Sequence, residues 1–389
     1  MTGKKPRILN KIYALEDLEV HAKKHLPKPV FGYVSGGAER NHTLRNNAED
    51  FANYKFVPNI LRNVSERSTK TEIFGRQWDA PFGISPMGVS ALAAYRGDIV
   101  LADAAQKMNI PMVISGSSLI PMEEIIKLAP GTWFQAYLPG EHDKVENLVL
   151  RVKKAGFETL VLTVDVAVLA GRENNLRNGF STPLRPSFSL LYQGLTHPNW
   201  SMNTFLKTIF KHGMPHFENF LAERGEPVFS ASINRDFGKR SNLNWEHLKQ
   251  IRKLWDGNLI VKGILNKGDA LKAINLGADA IIISNHGGRQ LDSAISSIKA
   301  LENIRPHVKG DCKLFVDSGF RRGTDIIKAL ALGADFVFIG RPFLYAASIA
   351  GIAGVTHTIN LLKEEIDRDM ALLGVNEINE LGLELLQKY

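Results

Sequence analysis

The chain has almost no cysteine: Cys312 is the only one in 389 residues. A lone thiol excludes a disulfide framework within the chain and fits a reducing compartment. It stands in the polar stretch 309–313, where it reads as an incidental thiol rather than a reactive one. No run of about 18 apolar residues is present, so no bilayer span is expected. The amino terminus, MTGKKPRILNK, is basic but has neither an apolar core nor a small-residue cleavage site, so it does not read as a signal peptide. No Gly-x-Gly-x-x-Gly follows a strand and opens a helix, which leaves a nicotinamide cofactor on a Rossmann unit unsupported. No metal-ligand set is identified. The net charge of +8 permits an anionic partner but does not choose between nucleic acid, lipid headgroups and acidic substrates.

What the chain does have is apolar material and a rhythm. A hydrophobic share of 44% suffices for a large core. Residues 15–26 have the spacing of an amphipathic helix, which Pro27 and Pro29 are expected to end. FGYVSGG follows at 31–37, with Gly36 and Gly37 as a stop signal, and 40–51 again reads as helical. From Pro81 onward short apolar strands alternate with helical segments, the pattern of repeated βα units around a parallel sheet. Strands are expected at 82–85, 112–115, 133–136, 160–164, 259–262, 280–284, 314–317 and 336–340. Eight of them make an α/β fold of the (β/α)8 barrel type the natural closure. The AxxxGAD segments at 273–279 and 329–335 fit a barrel's internal regularity. The whole reads as one domain, 1–389: a helical cap over 1–75, the barrel over 76–345 with a long basic loop at about 174–240 after the fourth strand, and carboxyl-terminal helices over 346–389. Within those last residues, 345–370 reads as a terminal helix and 377–389 as a short helical tail.

The most informative stretch is IIISNHGGRQLD, 281–292. A wholly apolar run suits a strand buried on both faces. His286 and Arg289 then fall just past its carboxyl end, where α/β folds place their chemistry. A histidine can take up a proton near neutral pH, and an arginine can clamp a carboxylate. Base plus clamp suggests a small organic acid undergoing proton abstraction. A second signal lies at VDSGFRRG, 316–323, and FIGRP, 338–342, at the ends of the seventh and eighth strands. That is the usual phosphate site of a barrel. Lys262 ends the fifth strand, where a buried lysine needs a partner or serves as a Schiff-base amine.

The string SNHGGRQLD resembles the active-site signature of the FMN-dependent 2-hydroxy acid oxidising family, and matching pieces recur from Tyr33 to Arg341. The family includes glycolate and lactate oxidases and the membrane-bound lactate and mandelate dehydrogenases. The resemblance implies FMN as cofactor and oxidation of an (S)-2-hydroxy acid to the 2-oxo acid. It implies that His286 is the base and that Asp165 holds its imidazole, by the logic of the acid in a serine-protease triad. Tyr33, Tyr137, Arg172 and Arg289 then bind the substrate. Pro86, Met87, Gly88, Ser115, Gln135, Thr163 and Lys262 match flavin contacts, with Lys262 favouring the reduced ring. Asp317, Gly319, Arg321, Gly340 and Arg341 match phosphate and ribityl contacts. The family pattern also implies a homotetramer. The chain departs from glycolate oxidase at Ser117 and Gly88, where lost bulk leaves room for a larger substrate, and Gly171-Arg172-Glu173 departs from both dehydrogenase patterns. TVDVAV, DSGFRRG and HGMPHFENF look most like the mandelate enzyme. VKGIL and HPNW look equally like the lactate enzyme.

One interval breaks the rhythm. Between Glu173 and Glu218 no acidic residue occurs, while Arg177, Arg185, Lys207 and Lys211 are interleaved with large apolar and aromatic side chains. Residues 203–212 are expected to form a short basic amphipathic helix. Such a composition suits an anionic membrane surface; the competing reading is a lid packed over the barrel mouth. Nucleic acid is not expected as a partner. Membrane docking predicts a peripheral protein on the cytoplasmic side of the inner membrane that delivers electrons to quinone. A soluble oxidase would pass them to oxygen and release hydrogen peroxide. The remaining competitors are a phosphosugar or nucleotide barrel enzyme using the same phosphate site, and a flavin-holding subunit without activity.

Overall fold

The computed structural model describes residues 6–181, 184–185, 187–229, 240–310 and 312–389. Eight parallel strands form one sheet: β1 (Phe82–Ile84), β2 (Val113–Ser115), β3 (Trp133–Tyr137), β4 (Thr159–Thr163), β5 (Asn258–Ile264), β6 (Ala280–Ile283), β7 (Lys313–Asp317) and β8 (Phe336–Ile339). Neighbours follow chain order, β1 pairs with β8, and a bridge from Ile84 to Met112 brings β1 to the entry of β2. The sheet therefore closes on itself as a (β/α)8 barrel, and the expected strand ends agree to within one residue, apart from β5, which runs two residues further.

Alternation explains how one sheet serves two cores. On β6, Ile282 points inward among Val113, Trp133, Val161, Ile260, Phe315, Phe336 and Phe338, while Ile281 and Ile283 face the surrounding helices. All three isoleucines are fully buried, at about 1.5–3 kcal/mol each for removing such a side chain from water. The hairpin Thr71–Ile73 with Arg76–Trp78 plugs the amino end of the barrel through Ile73 and Trp78. The opposite end is left for polar groups.

The amino-terminal cap contains α1 (Leu15–His25), α2 (Lys28–Ser35) and α3 (His42–Glu49). Here one expectation is corrected: Pro29 does not end a helix but sits in the first turn of α2, where its missing N–H costs nothing and its fixed φ suits a helix start. FGYVSGG is thus largely helical, and Gly36 caps it. A second correction concerns the tail. Residues 377–389 form two 3₁₀ turns and then a strand, Leu386–Lys388, antiparallel to Tyr54–Phe56. An apolar spacing of three to four residues fits a 3₁₀ turn as well as an α-helix, and the long-range pairing decides.

The Arg341–Leu373 helical span, broken by a kink at Gly351 (φ 56°), is long and apolar enough to cross a membrane by length and composition, but 61% of its apolar window is buried. It packs against α1 inside the protein, which accounts for its composition. Residues 182, 183, 186 and 230–239 of the expected long loop lie outside the described residues. The rest of it holds helices at Glu173–Arg177 and Phe188–Thr196 and a continuous helical stretch over 198–212.

Candidate active site

The carboxyl ends of the strands open into a cavity of about 440 Å³. The turn after β6 places its histidine there: His286 adopts a left-handed φ of 60°, unusual for a residue with a side chain, and Gly287 and Gly288 continue in the same region. Glycine is required at 288, since a Cβ would lie 2.6 Å from the backbone nitrogen of Leu44 in α3. Strain of this kind persists where surrounding structure enforces it, and here the cap does so.

His286 Nδ1–H donates to Asp165 Oδ1 at 3.0 Å and Oδ2 at 3.2 Å. A carboxylate only accepts, so the proton sits on Nδ1 and Nε2 carries the lone pair. Tyr137 donates its hydroxyl to that Nε2 at 3.4 Å. Burial pushes the His286 imidazole below its ordinary pKa, and Asp165 opposes that shift. Burial acts to raise Asp165, but its interaction and hydrogen bond with His286, with the charge of Lys262 added, outweigh that and hold the carboxyl below its usual range. The result is a neutral imidazole beside an ionised carboxylate, with the basic nitrogen on the cavity side.

The arginines are placed by the cap. Arg289 Nη1 donates to the carbonyls of Tyr33 (2.6 Å) and Gly36 (2.9 Å), and its guanidinium lies 4.7 Å from the Tyr33 ring centroid. Its other terminal nitrogen, Nη2, is buried with no hydrogen-bond partner among the described residues. Burial lowers the group to about 9, so it stays cationic at neutral pH. Arg172 donates from Nε to the Arg289 carbonyl and from Nη2 to Gln290 Oε1. It lines the same cavity as Tyr33, Tyr137 and Arg289. The four expected substrate residues are therefore together, with Asp165 behind His286.

Most of the expected cofactor residues line the same cavity. Lys262, 4% exposed, donates to Asp317 Oδ2 at 2.6 Å and Ser284 Oγ at 2.5 Å, which supplies the partner its burial demands. Ser115 Oγ donates to Gln135 Oε1 at 3.1 Å. Gln135 Nε2 and Thr163 Oγ1 are buried with no hydrogen-bond partner among the described residues. Gln135 lies in the middle of β3 rather than at its end, and Thr163 ends the neighbouring β4. Leaving a buried polar group unmade costs about 1–3 kcal/mol, so two of them on adjacent strands fit a polar heterocycle such as the flavin ring. Pro86, Met87, Gly88, Gly319, Arg321, Gly340 and Arg341 line the cavity, whereas Ser115 and Gln135 do not belong to its lining. Arg341 donates from Nη2 to the carbonyls of Gly36 and Gly287 and is lowered to about 10 by burial. It thus knits cap to barrel as well as charging this end of the cavity.

Several contributors were not expected. Ser318 Oγ accepts from the Gly287 N–H and donates to Asp317, tying the turns after β6 and β7 together. Phe180 stacks on Tyr33 at 4.5 Å. Phe217, Phe220 and Arg240 line the cavity from the far part of the long loop. Their only sequence signal is the aromatic pair in HFENF.

Comparison with known proteins gives one consistent answer. Residues 22–388 match the model of the FMN-dependent dehydrogenase family. The chain is 40% identical over 384 residues to an L-lactate dehydrogenase of Ectopseudomonas mendocina, covering 97% of this chain and 99% of that protein. It is 38% identical over 377 residues to the (S)-mandelate dehydrogenase of Pseudomonas putida, covering 97% and 94%. Among solved structures, a monotopic membrane protein, (S)-mandelate dehydrogenase, superposes with a TM-score of 0.87 at 37% identity over 97% of this chain and all of that one.

Proposed function

The chain belongs to the FMN-dependent dehydrogenase family, and from that premise we propose that it oxidises an (S)-2-hydroxy acid of the L-lactate or (S)-mandelate class to the 2-oxo acid and delivers the electrons to a membrane quinone. The observation that carries the reading is the His286–Asp165 hydrogen bond in the same cavity as the Arg289 Nη2, which is buried with no partner among the described residues. A base and a carboxylate donor meet in one cavity.

FMN supplies the two-electron acceptor. It would be held by Pro86, Met87, Gly88, Ser115, Gln135, Thr163 and Lys262 toward its ring and by Asp317, Gly319, Arg321, Gly340 and Arg341 toward its phosphate. Arg289, with Arg172 and the Tyr33 hydroxyl, holds the substrate carboxylate. Tyr137 hydrogen-bonds the substrate's oxygen. His286 takes up a proton at Nε2, and Asp165 stabilises the imidazolium that results. General-base catalysis of this kind is worth about 10²–10⁴-fold, so His286→Gln loses at least that factor in turnover while keeping its FMN.

The acceptor is read from the long loop. Phe188, Leu191, Tyr192, Leu195, Met202 and Phe210 are exposed, in company with Lys207 and Lys211. Such a surface suits the interface of an anionic bilayer. A peripheral position on the cytoplasmic face of the inner membrane, and a homotetramer as the family resemblance suggests, belong to the same proposal. The test is anaerobic: purified holoenzyme, yellow from its flavin, is titrated with L-lactate and (S)-mandelate, then mixed with quinone-bearing vesicles. Bleaching by acid and recovery by quinone are expected. No bleaching with either acid refutes the substrate class. Stoichiometric peroxide in air with no response to quinone favours the soluble-oxidase alternative.

A further inference from the structure

Gln290 follows Arg289 in the chain and lines the same cavity, and its side-chain amide is used at both ends. Oε1 accepts from Arg172 Nη2 at 2.7 Å. Nε2 donates to the backbone carbonyl of Asp165 at 2.9 Å and, at 3.4 Å, to that of Val168. The orientation of the amide is forced, since a guanidinium only donates and a peptide carbonyl only accepts. The residue type is matched to the place as well. Glutamate there would offer the two carbonyls no donor, and lysine would offer the guanidinium no acceptor.

The two ends serve different parts of the proposed chemistry. Arg172 is fixed by consecutive residues just past the base: its Nε donates to the Arg289 carbonyl at 3.0 Å, and its Nη2 donates to Gln290. The segment 165–170 carries Asp165, whose carboxylate accepts from His286 Nδ1 at 3.0 Å. That segment is irregular backbone, with Val168 and Leu169 exposed. Before it, the Val164 N–H is held by the Lys262 carbonyl, and after it the Gly171 carbonyl is held by the Glu39 N–H. Between those two points, among the described residues, Gln290 makes the only hydrogen bonds to the main-chain carbonyls. A loop with so few ties is ordered or released by a single contact.

We propose that Gln290 is a positioning residue of the oxidation: it locks Arg172 to the loop that carries Asp165, so that one amide sets both the grip on the C1 carboxylate and the orientation of the base. This rests on the reading of the cavity as a 2-hydroxy acid site. Gln290 itself takes no part in the bond changes.

The test uses the holoenzyme of Gln290→Met, which keeps the length of the side chain and loses the amide. The binding probe is oxalate, a carboxylate with no C–H to lose, followed through the flavin absorbance. The chemical step is anaerobic reduction at saturating L-lactate or (S)-mandelate, whichever bleaches the flavin. Oxalate is expected to bind about 3–10-fold more weakly, since Arg172 must then be ordered at the moment of binding. The saturating rate falls by about tenfold or more, because the base is no longer held in line. A general loss of packing would give the same two losses, so the deciding measurement is a double-mutant cycle. In an Arg172→Met background, Gln290→Met is expected to change oxalate binding by less than about twofold while still slowing reduction. Equal effects on oxalate in the two backgrounds overturn the link to Arg172. Gln290→Glu keeps an acceptor for Arg172 but offers the loop no donor, so it reduces as slowly as Gln290→Met; wild-type reduction in it overturns the link to Asp165, and this measurement stands even where Gln290→Met fails to fold. A wild type that neither bleaches with either acid nor binds oxalate overturns the underlying activity, whereas bleaching with either link broken overturns this inference alone.

Discussion

Replacing Asp165 by Asn is the most discriminating perturbation of the proposed base, because it changes one charge and little else. In the wild type the carboxylate is 3.0 Å from His286 Nδ1. Two unit charges at that separation attract by roughly 5 kcal/mol at an effective dielectric of about 20. Asn keeps an acceptor for Nδ1–H, and relaxation returns part of the loss, which leaves about 3–4 kcal/mol. At about 1.4 kcal/mol per tenfold, turnover falls about 10²–10³-fold while the flavin stays bound. The pH profile adds a second signature of opposite sense. His286 is held below its ordinary pKa by burial, with Asp165 opposing, so the wild-type acid limb lies below about 6.5. Without the carboxylate the imidazole is harder still to protonate, and the limb moves to lower pH as the plateau drops. The assay is stopped-flow reduction of the holoenzyme by (S)-mandelate and L-lactate across pH. A rate within about threefold of wild type, or a limb that moves up, refutes the assignment.

The remaining predictions address the parts around that pair. Lys262→Met strands a buried Asp317 carboxylate, so the apoprotein loses about 3–5 kcal/mol in chemical denaturation; an unchanged midpoint denies the pair its structural weight. Gly319→Ala puts a Cβ 2.1 Å from the Asn47 carbonyl at a φ of 91°, which combines a clash with about 1–3 kcal/mol of backbone strain. A fall in Tm of several degrees is expected, and an unaltered Tm contradicts the cap contact. Changing Phe188, Leu191, Tyr192 and Phe210 together to Ser removes exposed apolar groups without touching the buried anchor Trp200, whose Nε1–H donates to the Leu92 carbonyl. Co-sedimentation with anionic vesicles is expected to fall with no change in Tm; equal partitioning counts against membrane docking by this loop.

The barrel was legible because its strands are short apolar runs at regular intervals, and Ile281 to Ile283 can satisfy both cores only in a sheet covered on both faces. The candidate site was legible where chemistry-bearing residues fall at or near strand ends: Lys262 and Asp317 directly follow apolar runs, and His286 comes three residues after Ile283. Legibility failed where the decisive contact is distant in the chain. Pro29 looks like a helix breaker until the start of α2 is seen to coincide with it. Leu386–Lys388 becomes a strand only because Tyr54–Phe56 offers an edge. Phe217 and Phe220 reach the cavity from irregular backbone and Arg240 from the start of a single 3₁₀ turn, neither of which has a period long enough to betray which way a side chain points.

That last failure bears on how the long loop is to be understood. Membrane surface and active-site lid are competing readings of one composition only if the loop has a single face. In the fold it has two. Phe180, Phe217, Phe220 and Arg240 line the cavity, and Trp200 is buried against the barrel, so one set of large side chains does what a lid requires. Phe188, Leu191, Tyr192, Leu195 and Phe210 remain exposed, so the other set is available to a bilayer. Val168, Leu169 and Leu176 are exposed and line the cavity as well, which makes the rim of the cavity apolar on its outer side. An apolar rim is a poor entrance for a charged acid and a good one for a quinone. Exposed-face substitutions should therefore slow reoxidation by vesicle-borne quinone more than flavin reduction by substrate, whereas equal slowing of both steps would mean that the two faces are not separable.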